Sequence, residues 1–222
     1  MSRAVNQYTF HIPPLCKEDI EIIFTDDDLI VVNKPAGLLS VPGRIMKDCV
    51  LNRLKITYPD VVVVHRLDLD TSGLLVLSQS RKATSDLNRQ FRERTISKQY
   101  IAVVDGTVKQ NEGDIRLPIA PDPVNRPRQL IDHVNGKSAH TRYEVIEKFG
   151  NRTRLLLTPI TGRSHQLRIH LAEIGHPILG CDLYADDQVS AAATRLLLHA
   201  SGLMFRHPSS KEQLNFSSDP PF

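Results

Sequence analysis

A short segment of this 222-residue chain, HRLDLDTSG at residues 65–73, gathers side chains that could do chemistry. Its carboxylates, Asp68 and Asp70, stand two residues apart, a spacing that suits paired acid–base catalysis. A carboxylate can also act as a nucleophile without the help of a metal or cofactor. The same composition is typical of a solvated turn, because Asp, Ser and Gly favour turns. The residue types alone leave these interpretations open.

The sequence on either side of this segment indicates what holds it in place. Four valines precede it at residues 61–64, and the aliphatic residues 74–77 follow it. Short apolar runs bounded by polar and glycine residues are typical of buried strands. We therefore expect a polar loop between two strands, which is a common place for catalytic groups because the scaffold fixes what the loop presents.

The rest of the chain predicts many short strands and few helices. Hairpins are predicted at residues 20–32 and 137–158, a strand at 101–104, and late strands at 196–198, 203–205 and 214–216. Helical spacing of apolar residues predicts three helices, beginning after caps at Asp48, Ser80 and Ser164. This pattern predicts an α+β fold with a mixed, mostly antiparallel sheet, and not alternating βα units.

Composition narrows the kind of partner and compartment. The net charge is only +3, so contacts with a polyanion must come from local basic patches. The three cysteines, at positions 16, 49 and 181, fit neither a disulfide framework nor paired zinc ligands, which favours a reducing compartment. Neither a signal-like core nor an apolar run of membrane-spanning length is present in the sequence, so we expect a cytoplasmic protein without a membrane partner.

Five sequence blocks, taken together, resemble the RluA family of pseudouridine synthases. They are VVNKPAGLLSVPG at 31–43, HRLD with TSG at 65–73, KQYIAVV at 98–104, PITGRSHQLRIHLAEIGHPILGCDLY at 159–184 and RLLLHA at 195–200. The resemblance implies the pseudouridine synthase fold, a bent, mostly antiparallel sheet with flanking helices and a central RNA-binding cleft. We expect an N-terminal arm at residues 1–18 and a single catalytic domain at 19–222, with no S4 domain.

The resemblance also implies roles for individual residues. Asp68 matches the catalytic carboxylate, and Arg168 matches an arginine that pairs with it and fixes its orientation. Tyr100 matches a tyrosine that lies against the target ring, and Ile169 matches a position that packs on the bound base. Arg66 could occupy the space that an extruded base leaves, and extrusion is required because both C1′ and C5 must be reached.

Further cations are candidate RNA contacts. Lys34 is a possible phosphate or structural contact, and Arg126 and Arg128 are plausible RNA clamps in a proline-rich loop. We expect no metal, because His165 and His170 stand five apart, about 140° around a helix, and cannot share an ion as i, i+4 histidines do.

The activity implied by the resemblance is isomerisation of specific uridines by a monomer that needs no cofactor. The short chain is similar to family members that act on 23S rRNA, on the anticodon stem-loop of certain tRNAs, or on both. Three alternatives remain open at this point. They are a haloacid dehalogenase-type phosphatase, in which Asp68 to Thr71 would form D-x-D-x-T and Asp186 with Asp187 would bind magnesium, a non-catalytic RNA-binding module, and a nucleoside hydrolase.

Overall fold

The computed structural model of the protein describes residues 14–222, so residues 1–13 of the expected N-terminal arm lie outside the described residues. The strands are β1 (Glu21–Thr25), β2 (Leu29–Lys34), β3 (Val62–Val63), β4 (Ser72–Ser78), β5 (Ser97–Asp105), β6 (Glu112–Ile115), β7 (Ile119–Pro121), β8 (Gln129–Ile131), β9 (Thr141–Phe149), β10 (Arg152–Pro159), β11 (Leu198–Arg206) and β12 (Gln213–Ser217). The helices are α1 (Val50–Leu54), α2 (Arg81–Glu93), α3 (Gln166–Glu173) and α4 (Asp187–Ala191). The division into an arm and one catalytic domain stays a prediction.

One mixed sheet carries the site. Its strand order is β1-β2-β4-β11-β5-β10-β9-β6, with β3 on β4 and β12 on β11, while β7 and β8 form a separate hairpin. The pair β4–β11 is parallel, with Ser72 opposite His199, and the other pairs described are antiparallel. The predicted α+β class with a mixed, mostly antiparallel sheet is therefore confirmed.

The central strands are buried on both faces, which explains their continuous apolar runs. Alternate residues of a strand point to opposite faces. On β2 and β4, Ile30, Val32, Leu75 and Leu77 pack with Val50 and Leu54 of α1. The intervening residues Leu29, Val31, Leu74 and Val76 pack with Leu87 and Phe91 of α2. The loop between β3 and β4 therefore starts and ends in a packed framework.

The predicted hairpins are confirmed, with altered boundaries. The pairs β1–β2 and β9–β10 form as expected, although β9 begins at Thr141 and not at residue 137. The prediction of separate strands at 196–198 and 203–205 is wrong, because a single strand, β11, runs from Leu198 through the second segment, and residues 196–197 precede it. In the described part of the chain, none of the helices combines the length and apolar character needed to cross a bilayer.

Of the three predicted helix caps, Ser80 is confirmed and two are wrong. The Ser80 hydroxyl accepts from the backbone N–H of Ala83 at 3.1 Å. At α1 the cap is Cys49, because the Asp48 carboxylate instead forms a two-point salt bridge with Arg53. Bidentate, charge-assisted bonds of that kind are stronger than a neutral cap bond.

The third helix begins later than its predicted cap. α3 starts at Gln166, and His165 occupies the N-cap position in a left-handed conformation with φ of 56°, without a capping hydrogen bond from its side chain. Ser164 therefore lies outside the helix. The left-handed turn leaves the imidazole of His165 to bond with Tyr184.

Candidate active site

An open cleft with a volume of about 1480 Å³ brings the predicted catalytic residues together. Asp68, Tyr100 and Arg168 all line it, although they come from the loop before β4, from β5 and from α3. Arg66, Arg126 and Arg128 line it as well. A cavity of this size exceeds the range of ordinary small-molecule pockets, so it can admit a nucleotide together with its neighbours in a chain.

The loop that presents Asp68 is fastened to the segment after β2. The Ser40 hydroxyl donates to the Leu67 carbonyl at 2.8 Å and accepts from the Leu67 N–H at 3.1 Å. The Thr71 N–H donates to the Asp68 carbonyl at 3.3 Å, which closes the turn. Asp68 is held through its backbone, and its half-buried side chain faces the cleft. Sequence reasoning missed Ser40, which precedes Leu67 by 27 residues.

Lys34 lies behind this loop and bonds to its backbone. Its side chain is fully buried, and the ammonium donates to the carbonyls of Pro35 at 2.8 Å, Leu38 at 2.7 Å and Leu69 at 3.0 Å. Burial lowers the pKa of the ammonium to about 7, against the raising effect of Asp70 and other nearby groups. All three of its protons are engaged, which favours the structural role of Lys34 over the phosphate contact.

The far end of the loop depends on a close approach of two backbones. Gly73 has φ of 111°, and a Cβ there would lie 2.3 Å from the carbonyl oxygen of Ala200. Beside it, the Ser72 hydroxyl meets His199 Nδ1 at 2.8 Å and accepts from Arg195 Nη2 at 2.5 Å. The TSG motif therefore ends in glycine because only glycine fits this contact with β11.

The salt bridge of Arg168 is not the one expected from the resemblance. Its guanidinium donates to the Asp182 carboxylate at 2.5 Å and to Cys181 Sγ at 3.4 Å, and its side chain is 4% exposed. Burial disfavours the charged form, but the sulfur of Cys181 and the carboxylates of Asp68 and Asp182 outweigh it and raise the pKa of Arg168. The charge of Asp68 therefore affects Arg168 at a distance and without a direct bond. Sequence reasoning missed Asp182, the carboxylate to which Arg168 does bond.

Tyr100 lies close enough to Asp68 for the charge of that carboxylate to affect its hydroxyl. Burial, with the negative charge of Asp68 adding to it, raises the pKa of the Tyr100 hydroxyl. The side chain therefore remains a neutral phenol at physiological pH, and it offers the cleft an aromatic face and a hydrogen-bond donor.

Ile169 does not reach the cleft. It is 2% exposed and packs with Ile119 and Ala139 under the β7–β8 hairpin. The expectation that it packs on a bound base stays a prediction, which its burial disfavours, because a rotation of about 100° per residue separates Ile169 from Arg168 on the helix. The other residues of α3 that line the cleft are Gln166 and Leu167.

The cleft wall is cationic, although the chain is nearly neutral. Arg66, Arg126 and Arg128 are exposed along it, as predicted. The other cations that line it are Arg44, Arg92, Arg94, Lys98 and Arg163. Burial lowers the pKa of Lys98, which lies on β5 two residues before Tyr100. The local concentration of positive charge suits a phosphate backbone.

His65, the first residue of the motif, has a structural role. Its Nε2 accepts from the backbone N–H of Val76 at 3.1 Å, and its ring packs against that of Phe91 with centroids 4.7 Å apart. Burial, with a smaller effect of Lys98, lowers the pKa of His65 to about 3. A neutral ring is required, because a protonated Nε2 could not accept this bond.

This neutral histidine makes stability depend on pH. The unfolded chain takes up the His65 proton near pH 6.5 and the folded chain only near 3, so acid favours unfolding between these values. We expect the unfolding free energy to fall as pH drops from 6.5 to 4. His65→Gln, which keeps an acceptor for Val76, should make that fall shallower in urea titrations. Equal slopes for the two proteins would contradict the assignment.

The geometry disfavours the phosphatase alternative. Asp186 is the N-cap of α4, where its carboxylate accepts from the N–H of Val189 at 2.8 Å. Within residues 14–222, the His, Cys, Asp and Glu side chains form no group of three or more that could hold a metal ion. The mostly antiparallel sheet also differs from the parallel βα architecture on which such phosphatases depend.

Comparison with known proteins identifies the class. A family model described as RNA pseudouridylate synthase matches residues 28–173, and the chain belongs to this family. The resemblance found in the sequence is thereby confirmed, and the protein is an RNA pseudouridine synthase.

The chain is similar to proteins named dual-specificity RNA pseudouridine synthase RluA. That of Pasteurella multocida (strain Pm70) is 48% identical over 206 residues, which cover 91% of this chain and 94% of the relative. That of Escherichia coli (strain K12) is 48% identical over 204 residues, 90% of this chain and 93% of the relative. The structure of human RNA pseudouridylate synthase domain containing 1 superposes with a TM-score of 0.81 at 26% identity, covering 95% of this chain and 87% of that one.

Proposed function

We propose that this pseudouridine synthase has dual specificity and isomerises uridines in both 23S rRNA and the anticodon stem-loop of certain tRNAs. The observation that carries the proposal is the 48% identity, across about nine-tenths of the chain, to relatives named as dual-specificity enzymes. The cationic cleft supports it, because a binding surface that rests on backbone phosphates can accept RNAs of different sequence. We further propose that the protein acts as a monomer in the cytoplasm.

The chemistry exchanges one glycosidic bond for another. The C1′–N1 bond of uridine breaks, the uracil turns, and C1′ bonds to C5, while N1 gains a proton and C5 loses one. We assign Asp68 to this exchange, because a ribose that loses its base acquires oxocarbenium character that a nearby carboxylate stabilises. Attack on C1′, attack on the uracil ring and removal of the C2′ proton are three routes open to that carboxylate.

The neighbouring groups would prepare Asp68 and the base. Arg168 provides a fixed positive charge near Asp68, whose carboxylate is among the groups that raise the pKa of Arg168. Tyr100 offers a neutral aromatic face against which the detached uracil can turn. Arg66, which is exposed at the start of the loop, would fill the stack when the target base leaves it.

The proposal is tested with two transcripts whose uridines carry tritium at C5. Incubation with the purified protein should release tritium from both a tRNA anticodon stem-loop and a 23S rRNA fragment, since forming the C1′–C5 bond expels the C5 hydrogen. Release from one transcript alone would contradict dual specificity, and release from neither would contradict the activity. Free uracil in the products would instead identify a nucleoside hydrolase.

Salt dependence should separate the cations that hold phosphate from the one that replaces the base. Each phosphate neutralised contributes roughly 0.7 to 0.9 to the slope of log affinity against log salt. Arg126→Gln and Arg128→Gln should each flatten the slope and weaken binding. Arg66→Ala should leave the slope unchanged and slow the single-turnover rate, because its role begins only once a base leaves the stack.

Filter binding at several salt concentrations, paired with single-turnover assays, measures both quantities. Glu112→Gln, on the distant edge strand β6, is a charge-altering control outside the cleft. An Arg66 variant that lost slope and affinity at an unchanged single-turnover rate would place Arg66 among the phosphate contacts.

A further inference from the structure

Tyr184 joins two parts of the cleft that are far apart in sequence. Its hydroxyl accepts from the backbone N–H of Gln129 at 2.8 Å and meets His165 Nδ1 at 2.7 Å. Gln129 follows the arginine loop, which we define as residues 122–128, and His165 is the N-cap of α3. One side chain therefore ties the arginine loop to the helix that carries Arg168.

Chemistry fixes the direction of the first bond and allows the second to run from the Tyr184 hydroxyl to His165. The Gln129 N–H can only donate, so the phenolic oxygen accepts there and its own proton is available for His165. Burial lowers the pKa of His165, which leaves Nδ1 free to accept, and burial raises the pKa of the Tyr184 hydroxyl to about 12, which keeps its proton. The chain of bonds Gln129–Tyr184–His165 is therefore satisfied at each member.

The ring of Tyr184 adds a second pair of contacts. The guanidinium carbons of Arg128 and Arg168 each lie 5.5 Å from its centroid, within the range of cation–π attraction. Arg128 is an exposed RNA-facing cation of the arginine loop, whereas Arg168 is buried and bonded to Asp182. Both cations are thus held by one aromatic ring.

The arginine loop is otherwise closed mainly on itself. The Asp122 carboxylate accepts from the N–H groups of Val124 and Asn125, and the Asn125 carbonyl accepts from the Arg128 N–H at 2.8 Å. These bonds keep the shape of the loop but do not join it to α3. An RNA phosphate that fixes the loop would therefore act on α3 through Tyr184, together with the apolar contact of Ile131 with Ile169.

We infer that Tyr184 is a positioning residue through which RNA bound at the arginine loop fixes the orientation of Arg168 in the cleft. The inference rests on the proposed function and deepens it, because it links recognition of the substrate to the chemistry. The substrate class that it concerns is a folded RNA whose backbone phosphate reaches Arg128. Tyr184 itself touches neither the reacting base nor Asp68 in this account.

The first test removes the hydroxyl and keeps the ring. Tyr184→Phe should slow the single-turnover rate at saturating RNA by on the order of tenfold, because it breaks two hydrogen bonds of the link. RNA affinity should change by less than about threefold, because Arg128 and Arg168 still contact the aromatic ring of the phenylalanine. Tyr58→Phe, a tyrosine that packs in the core next to α1, is the matched control and should keep the wild-type rate.

The second test asks whether Arg128 acts on the rate through Tyr184. Arg126→Gln and Arg128→Gln should both weaken RNA binding, but Arg128→Gln should slow the saturated rate more, because Arg128 and not Arg126 contacts the ring. When Arg128→Gln is added to the Tyr184→Leu variant, RNA binding should weaken further. The rate at saturating RNA should stay equal to that of Tyr184→Leu alone. Thermal unfolding of each variant, and the amplitude of the single turnover, separate a slower enzyme from a smaller folded fraction.

Failure of the positioning role and failure of the proposed function would give different results. A wild-type rate in Tyr184→Phe, or rate losses of Tyr184→Leu and Arg128→Gln that multiply in the double variant, would overturn the positioning role while pseudouridine still forms. If the wild-type protein formed no pseudouridine in either RNA, the proposed function itself would fail. The inference is supported if the double variant loses no more rate than Tyr184→Leu alone, while the two changes weaken RNA binding independently of each other.

Discussion

Asp68→Asn should abolish pseudouridine formation and leave the folded protein and its RNA binding intact. We expect the single-turnover rate to fall by about 10⁴-fold, the scale typical of losing a group that acts directly on the reacting atoms. The fold should persist because the loop is fastened by backbone bonds and by Ser40, and not by the Asp68 carboxylate. Removing a negative charge from a cationic cleft should not weaken its hold on RNA.

The measurement is tritium release from a single turnover, with affinity determined on the same RNA. Asp70→Asn is the matched control, since Asp70 is a carboxylate of the same loop that also lines the cleft. It should retain far more activity than Asp68→Asn. If the Asp68→Asn protein kept more than a small fraction of the wild-type rate, or if the two variants lost equal activity, the assignment of Asp68 would be wrong.

Arg168→Ala should lose both activity and stability. The side chain is 4% exposed and contacts Cys181, Asp182 and the ring of Tyr184, so its removal opens a cavity that costs about 3 kcal/mol of unfolding free energy. Because Asp182 is 55% exposed, water can solvate the carboxylate that is left behind, and the stranded charge adds little. The rate should fall by about 10³-fold, as for the loss of one fixed electrostatic group in an active site.

Arg168→Lys and Asp182→Asn separate charge from geometry. The lysine keeps a positive charge but replaces a planar fork by a point charge, so it should recover only part of the rate. Asp182→Asn should be milder than Arg168→Ala, because Cys181 and Tyr184 still hold the guanidinium. Urea unfolding and single-turnover rates are measured for all three variants. Equal rates in the wild type, Arg168→Ala and Arg168→Lys would contradict a role for Arg168 in the reaction.

The parts of the fold that the sequence predicted are those fixed by local patterns. The hairpins β1–β2 and β9–β10 follow from apolar runs around short polar turns, and Ser80 lies where a helix needs a side-chain acceptor. The two other cap predictions are wrong for different reasons. The Asp48 carboxylate bonds to Arg53 and not to the helix N-terminus. The helix after Ser164 begins only beyond His165, whose left-handed conformation no local sequence pattern indicates.

Six of the predicted site residues share one cleft, whereas Lys34, Arg168 and Ile169 make contacts that the sequence did not predict. Asp68, Tyr100 and Arg168 were found because motif blocks keep their order in the chain. The unpredicted features are tertiary contacts. Lys34 meets a carbonyl 35 residues away, Arg168 meets a carboxylate in the loop after its helix, and Ile169 turns under a hairpin that the sequence did not predict. Such contacts depend on how distant segments pack, which motif spacing does not encode.

Pseudouridine mapping in cells tests the central claim most directly. Total RNA is compared between cells lacking this protein, the same cells supplied with the wild-type protein, and the same cells supplied with Asp68→Asn. We predict that at least one pseudouridine in 23S rRNA and one in a tRNA anticodon stem-loop disappear without the protein, return with the wild type and stay absent with Asp68→Asn. Unchanged pseudouridines in both RNAs without the protein, or their return with Asp68→Asn, would contradict the account.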